Sequence, residues 1–190
     1  MDDKKNLLII DDEIEILNTL KRIFYKEYNV HITQNTKDAF EIMKKVNIGV
    51  ILCDQQMPKM KGTDFFIIVK DMYPSTIRIL FTGYSDLSDA IKSINEGQIF
   101  RYLTKPWNLY ELKSSVKEAF DKNALICENK IMIETLKNTN VILKDKVRAR
   151  TAELEVKNIE LEKISNDKSR ILGIVAHDLR SPIGGIFSLS

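Results

Sequence analysis

Five short apolar runs alternate with stretches whose apolar residues recur every three or four positions, and no other feature constrains the fold of this chain so tightly. The runs are L-L-I-I (7–10), V-H-I-T (30–33), I-G-V-I-L-C (48–53), I-R-I-L-F (77–81) and I-F-R-Y-L (99–103). Each is short enough for a strand and rich in β-branched or aromatic residues. Between them, Ile14–Tyr25, Asp38–Val46, Thr63–Met72 and Leu87–Asn95 space their apolar residues as helices do. Asn108 opens a further helix, with Glu111 placed as its capping-box partner. Strand then helix, five times over, predicts an α/β domain built on a five-stranded parallel sheet covered on both faces. The unbroken apolar character of the first and third runs suits central strands.

Such sheets gather their chemistry at the carboxyl ends of the strands. Asp11 and Asp12 follow the first run, Asp54 the third, Thr82 ends the fourth, and Lys105 follows the fifth. Carboxylates about 4 Å apart repel by roughly 4 kcal/mol per pair at an effective dielectric near 20. Three of them at neighbouring strand ends therefore call for wider spacing or a divalent cation. Oxygen ligands with open positions favour magnesium (Mg2+), which could bring in a phosphoryl group for attack by a carboxylate. A threonine hydroxyl and a lysine ammonium suit the oxygens of the resulting acyl phosphate. Taken singly, Asp11 and Asp12 could equally cap a helix and Asp54 could start a turn; the convergence of all five residues argues for a site.

The remaining totals exclude other classes. Lysine and arginine number 29 against 27 acids, so the net charge of +2 gives no electrostatic reason to expect nucleic-acid binding. No apolar run approaches the roughly 18 residues of a membrane span, and the four-residue apolar patch near the N-terminus is too short for a signal peptide. Cys53 and Cys127 form no metal or redox motif, and a cytoplasmic location is expected.

L-L-I-I-D-D-E, V-I-L-C-D-Q-Q-M-P-K-M-K-G, I-L-F-T-G-Y and Y-L-T-K-P-W resemble, in order and spacing, the signatures of response-regulator receiver domains, over about residues 5 to 121. The resemblance implies a flavodoxin-like (βα)5 fold with Asp54 as phosphoacceptor. Asp12 and Asp54 would bind magnesium directly, Asp11 largely through water, and Gln56 through its backbone carbonyl. Thr82 would turn toward the phosphoryl group, Lys105 would pair with it, and Pro106 would follow a cis peptide bond. Tyr102 takes the place of the family's aromatic switch. Gly83 leaves room for the donor, while Gln56 and Tyr84 flank the path of the hydrolytic water; the bulk of Tyr84 implies a long-lived phosphoryl group. His31 reads as a partly buried strand residue.

From Asn108 through Leu172 the chain has neither glycine nor proline for 65 residues, which predicts continuous helix. Steps of three and four from Ile133 to Val175 trace an apolar seam through Leu136, Leu143, Leu154 and Leu161, with polar breaks such as Asn140. A second phase through Thr151, Asn158 and Ser165 shares Leu154 and Leu161. These features suggest a parallel homodimeric coiled coil able to hold two registers. R-T-A-E-L-E-V-K-N-I-E-L-E-K-I resembles the linkers of sensor histidine kinases, and I-L-G-I-V-A-H-D-L-R-S-P-I resembles the H-box of their dimerisation and phosphotransfer domain. That resemblance implies a phosphoacceptor His177, oriented by Asp178 acting as base, with Pro182 kinking the helix one turn on. Ser181 stands where threonine or asparagine is common. In that family ATP is held by a downstream domain with glycine-rich turns, and no matching motif follows His177 here.

The organisation expected is a receiver at 1–121, a coiled-coil helix at 122–170 and the start of a phosphotransfer domain at 171–190. The expectation is the front part of a hybrid histidine kinase, with a non-catalytic dimeric receiver adaptor or phosphorelay protein as the alternative. A phosphodonor histidine protein, or the protein's own kinase domain, would supply Asp54. Y-L-T-K-P-W-N is also common in receivers joined to cyclic-dinucleotide phosphodiesterases, whose metal-binding histidine–aspartate pairs are missing from this sequence.

Overall fold

A computed structural model describes residues 4–83 and 99–187, with side chains to residue 175. The expected helix at Leu87–Asn95 and the residue Tyr84 lie outside the described residues. The chain divides into two compact units, Met1–Ile131 and Met132–Ser190.

The first unit is built on strands β1 (Asn6–Ile10), β2 (Asn29–Thr33), β3 (Val50–Asp54), β4 (Ile77–Thr82) and β5 (Arg101–Thr104). All pair in parallel, in the order β2-β1-β3-β4-β5. Helices α1 (Ile14–Phe24), α2 (Thr36–Lys45) and α3 (Gly62–Met72) follow β1, β2 and β3, and α4 (Leu109–Phe187) follows β5.

Alternation along the strands builds two cores. Leu7, Ile9, Val50, Leu52, Ile79 and Phe81 face one side, against Leu17, Leu20 and Phe24 of α1 and Leu112, Val116 and Phe120 of α4. Leu8, Ile10, Ile51, Cys53 and Leu80 face the other, against Ala39 and Met43 of α2 and Phe65, Phe66 and Val69 of α3. Burial of each Val, Leu, Ile, Phe or Met among them contributes about 1.5–3 kcal/mol. Because both faces are covered, β1, β3 and β4 carry almost no exposed side chain, which explains their unbroken apolar sequence. Cys53 and Cys127 are both free thiols.

Several boundaries differ from the sequence expectation. β3 begins at Val50 rather than Ile48, because Ile48 and Gly49 form the lead-in; the Gly49 N–H reaches the Asn6 carbonyl at 3.1 Å. β5 begins at Arg101 rather than Ile99: Ile99 is buried and the Phe100 N–H donates to the Arg78 carbonyl, but pairing in register starts two residues later. α2 starts at Thr36 rather than Asp38, because Asn35 Oδ1 caps it by accepting the Asp38 N–H at 2.9 Å. At the start of α4, Asn108 Oδ1 accepts the N–H groups of Tyr110 and Glu111 at 2.8 and 3.3 Å. That helix continues past Gly173, where the glycine-free run had suggested a limit.

The described residues of the second unit, 132–187, are all helical. Its described side chains, from Met132 to Val175, are exposed, including Leu136, Leu143, Leu154 and Leu161. Glu153 pairs with both Arg150 and Lys157, at 2.6 and 2.9 Å. Among the described residues no helix is long and apolar enough to cross a membrane.

Candidate phosphoacceptor site

In a sheet of this order, chain connections leave β1 and β3 toward opposite faces, and a crevice opens between their carboxyl ends. Asp11 stands just past the end of β1 and is fully buried; Asp54 is the last residue of β3 and is 5% exposed. Lys105, one residue beyond β5, reaches between them. Its Nζ lies 2.9 Å from Asp11 Oδ2 and 2.6 Å from Asp54 Oδ1. The Lys105–Pro106 peptide is cis. The Lys105 backbone N–H donates to the Thr82 carbonyl at 2.9 Å, which fixes the start of this loop against β4.

The second oxygens of both carboxylates are also engaged. Asp11 Oδ1 accepts the Glu13 N–H, and Asp54 Oδ2 accepts the Gln56 N–H, each at 2.9 Å. Burial raises the Asp54 pKa; Lys105 and the Gln56 N–H oppose that effect but do not cancel it. At Lys105 burial favours the neutral amine, yet the hydrogen bonds and attraction of Asp11 and Asp54 together outweigh it, so its pKa is raised. The ammonium is therefore stabilised in its charged form, while burial makes the Asp54 carboxylate hold its proton more tightly than an ordinary aspartate.

Other expected residues fall at different distances from this centre. Asp12 turns its side chain to the exposed side, and its backbone carbonyl accepts from Gln34 Nε2 at 2.8 Å. Thr82 is fully buried at the end of β4, with its hydroxyl donating to the adjacent Gly83 carbonyl at 3.2 Å. Tyr102 is 40% exposed on β5. His31 is half-buried on β2, 3.4 Å from Asn6 Oδ1, and burial lowers its pKa. His177 and Asp178 lie on α4 beyond the described side chains.

Among the described residues no group of three histidine, cysteine or carboxylate side chains stands close enough together to hold a metal ion. Asp11 and Asp54 stand within reach of one ammonium. Two buried carboxylates and the neighbouring Asp12 nevertheless outnumber the single lysine, and all are oxygen donors. That donor set fits a hard divalent cation.

Sequence reasoning passed over three residues that shape this site: Gln55, Gly62 and Thr63. Gln55 is buried and bonded to Thr63 in the first turn of α3. A Cβ on Gly62 would run into the Asp54 carbonyl oxygen. The available signal was a glutamine placed directly after an apolar strand, where its amide would need partners if buried.

The raised Asp54 pKa gives a stability prediction with a definite sign. In the folded protein Asp54 binds its proton more tightly than in the unfolded chain, so its contribution to stability falls as pH rises through the interval above about 4. Asp54→Asn is therefore expected to be more stable than the parent at pH 7, and to lose that advantage as pH drops below about 4. Urea denaturation at several pH values checks this; an Asn variant less stable at pH 7 would contradict it.

The response regulator receiver domain profile matches residues 7–117. The hydrogenase transcriptional regulatory protein HoxA of Bradyrhizobium diazoefficiens is 35% identical over 113 residues, covering 60% of this chain and 23% of that protein. HoxA of Cupriavidus necator is 33% identical over 126 residues, 66% of this chain and 26% of that protein. The chain thus spans about a quarter of the length of these curated relatives. Among solved structures, the signal receiver domain of an HD domain-containing protein from Pseudomonas fluorescens superposes with a TM-score of 0.64 at 29% identity, covering 67% of this chain and 95% of that one. The beryllofluoride-activated NtrC4 receiver domain dimer gives 0.58 at 28% identity, over 62% of this chain and 98% of that one. With the profile spanning more than half its length, and the buried acid–lysine site within that span, the chain belongs to the response regulator receiver domain family.

Proposed function

We propose that this chain is a phosphoryl-accepting switch in which Asp54 is the acceptor and α4 carries the output. The observation that supports it most directly is the Lys105 ammonium, held between two buried carboxylates at the crevice of a parallel sheet. An Asp54 oxygen attacks phosphorus, and the P–N bond of a phosphohistidine donor breaks as the new P–O bond forms. The departing imidazole takes up a proton, and an aspartyl phosphate remains. Lys105 offers its charge to the transferred oxygens, and Thr82 has a hydroxyl that can leave the Gly83 carbonyl to donate to one of them. Magnesium, held by Asp12, Asp54 and the Gln56 carbonyl with Asp11 through water, would neutralise charge on those oxygens. Tyr102 is the surface aromatic that would respond.

The output reading is a dimer through the exposed apolar seam of α4, with a receiver at 1–121, a coiled-coil helix at 122–170 and a phosphotransfer segment from 171. The HoxA relatives are transcriptional regulators by name, which favours a receiver that serves a separate effector and has no kinase activity of its own. A hybrid histidine kinase is the second reading, favoured by H-D-L-R-S-P-I at 177–183, with His177 the acceptor from ATP and Asp178 its base.

Incubation with a small acyl phosphate and magnesium is expected to label the chain on Asp54, located by peptide mass, and Asp54→Asn is expected to remain unlabelled. Equal labelling of both would overturn the acceptor assignment. In the full natural protein, ATP-dependent label lost in His177→Gln would select the kinase; its absence would select the adaptor.

A further inference from the structure

The peptide unit joining Gln55 to Gln56 has both polar ends engaged. Its N–H, belonging to Gln56, donates to Asp54 Oδ2 at 2.9 Å, and its carbonyl, belonging to Gln55, accepts the Gly62 N–H at 3.1 Å. One planar group therefore links the acceptor carboxylate to the first residue of α3. The Gln55 side chain adds two further ties. It is 3% exposed; its Oε1 accepts the Thr63 N–H at 3.2 Å and its Nε2 donates to Thr63 Oγ1 at 3.4 Å. Its own backbone N–H donates to the Phe81 carbonyl at 2.9 Å, anchoring it to β4.

The first N–H groups of any helix lack partners within it. At α3 the residue before the helix is Lys61, whose side chain supplies no cap. Gln55 caps from outside, from the position next to the acceptor. Side-chain length matters here: an apolar residue would leave the Thr63 N–H buried without a partner, and asparagine is one methylene shorter.

We propose that Gln55 is a positioning residue that fastens the first turn of α3 to the 55–56 peptide and so holds the Gln56 N–H against the acceptor carboxylate. This rests on Asp54 being the phosphoacceptor. A role in folding alone would require only that α3 be capped; positioning requires that the state of the Asp54 carboxylate be felt at Thr63 and that loss of Gln55 be felt at Asp54.

Two measurements on the full chain test both directions. In the first, amide resonances of the unmodified protein are followed by NMR through the titration of Asp54. Those of Gln56 and Thr63 are expected to shift with a common midpoint, and to stop shifting in Asp54→Asn. A Thr63 amide that stays still while Gln56 moves overturns the proposal, whether or not any Gln55 variant folds. In the second, Gln55→Met is labelled with a small acyl phosphate and magnesium across pH. Acceptance is expected to slow on the order of tenfold. Its acid limb is expected to move to higher pH, because a misaligned Gln56 N–H favours the carboxylate form less. Label lost in Asp54→Asn but unaltered in rate and pH dependence in Gln55→Met overturns this assignment alone. Label that survives in Asp54→Asn overturns the acceptor reading and this assignment with it.

Discussion

Lys105→Met is expected to destabilise the domain by about 2–3 kcal/mol at neutral pH and to slow phosphoryl acceptance about a hundredfold or more. Removing one partner of a buried ion pair leaves the other charge uncompensated, and here one ammonium serves two carboxylates at 2.9 and 2.6 Å. Lys105 keeps 24% of its side chain exposed, so water reaches its end of the network; the expected cost sits below that of a fully enclosed pair. Methionine retains most of the packing volume, which confines the change to charge and hydrogen bonding.

The loss should depend on pH. Asp54 already holds its proton more tightly than an ordinary aspartate despite the ammonium beside it, because burial dominates. Without Lys105 its pKa rises further. Protonation then relieves the repulsion, so the gap between variant and parent is expected to narrow as pH falls from 7 toward 5. Denaturant unfolding at both pH values, with acyl-phosphate labelling in parallel, measures this. A stability loss identical at the two pH values would mean that packing, not charge, sets the cost.

The same network shows what the sequence could reveal. β1 and β3 are legible because burial on both faces leaves no polar position to interrupt the run, and Asp11 and Asp54 stand out at their ends. Which of Asp11 and Asp12 turns inward is not legible, since adjacent residues at a strand end point to opposite sides and both are aspartate. The pairing of Lys105 with Asp11 joins residues 94 positions apart, so spacing suggests the neighbourhood but not the bond.

The misplaced boundaries have a shared cause. Apolarity reports burial, not hydrogen-bond pairing, so buried Ile99 and partly buried Phe100 read as strand although β5 starts at Arg101. Conversely, Thr36 and Lys37 are helical but polar, and only the Asn35 cap reveals them. Gln55 escaped notice for a related reason. Its partner, Thr63, lies eight residues on across a turn, and its meaning depends on where α3 begins.

Gly62→Ala is the second large effect, with an expected cost of about 2–4 kcal/mol. Two terms compete. Gly62 is not among residues of positive φ, and alanine in a helix is intrinsically favoured over glycine by about 1 kcal/mol. Against this, the added Cβ would collide with the Asp54 carbonyl oxygen and stand 2.9 Å from Leu80 Cδ1 and 3.1 Å from the Asp54 carbonyl carbon. The leucine can rotate, but the backbone cannot easily yield. Asp54 closes β3, paired with Phe81 in the middle of the sheet, and the Gly62 N–H is held by the Gln55 carbonyl. The overlap should therefore outweigh the helix preference, and the relief must come from moving either α3 or Asp54. Both choices disturb the Gln56 N–H bond to Asp54, so under the proposed function phosphoryl acceptance should fall together with stability. Thermal and urea unfolding of Gly62→Ala, read beside its labelling rate, decides the matter. A variant as stable as the parent would show that α3 slides freely over the end of β3, and that the close approach of Gly62 to Asp54 does not constrain the site.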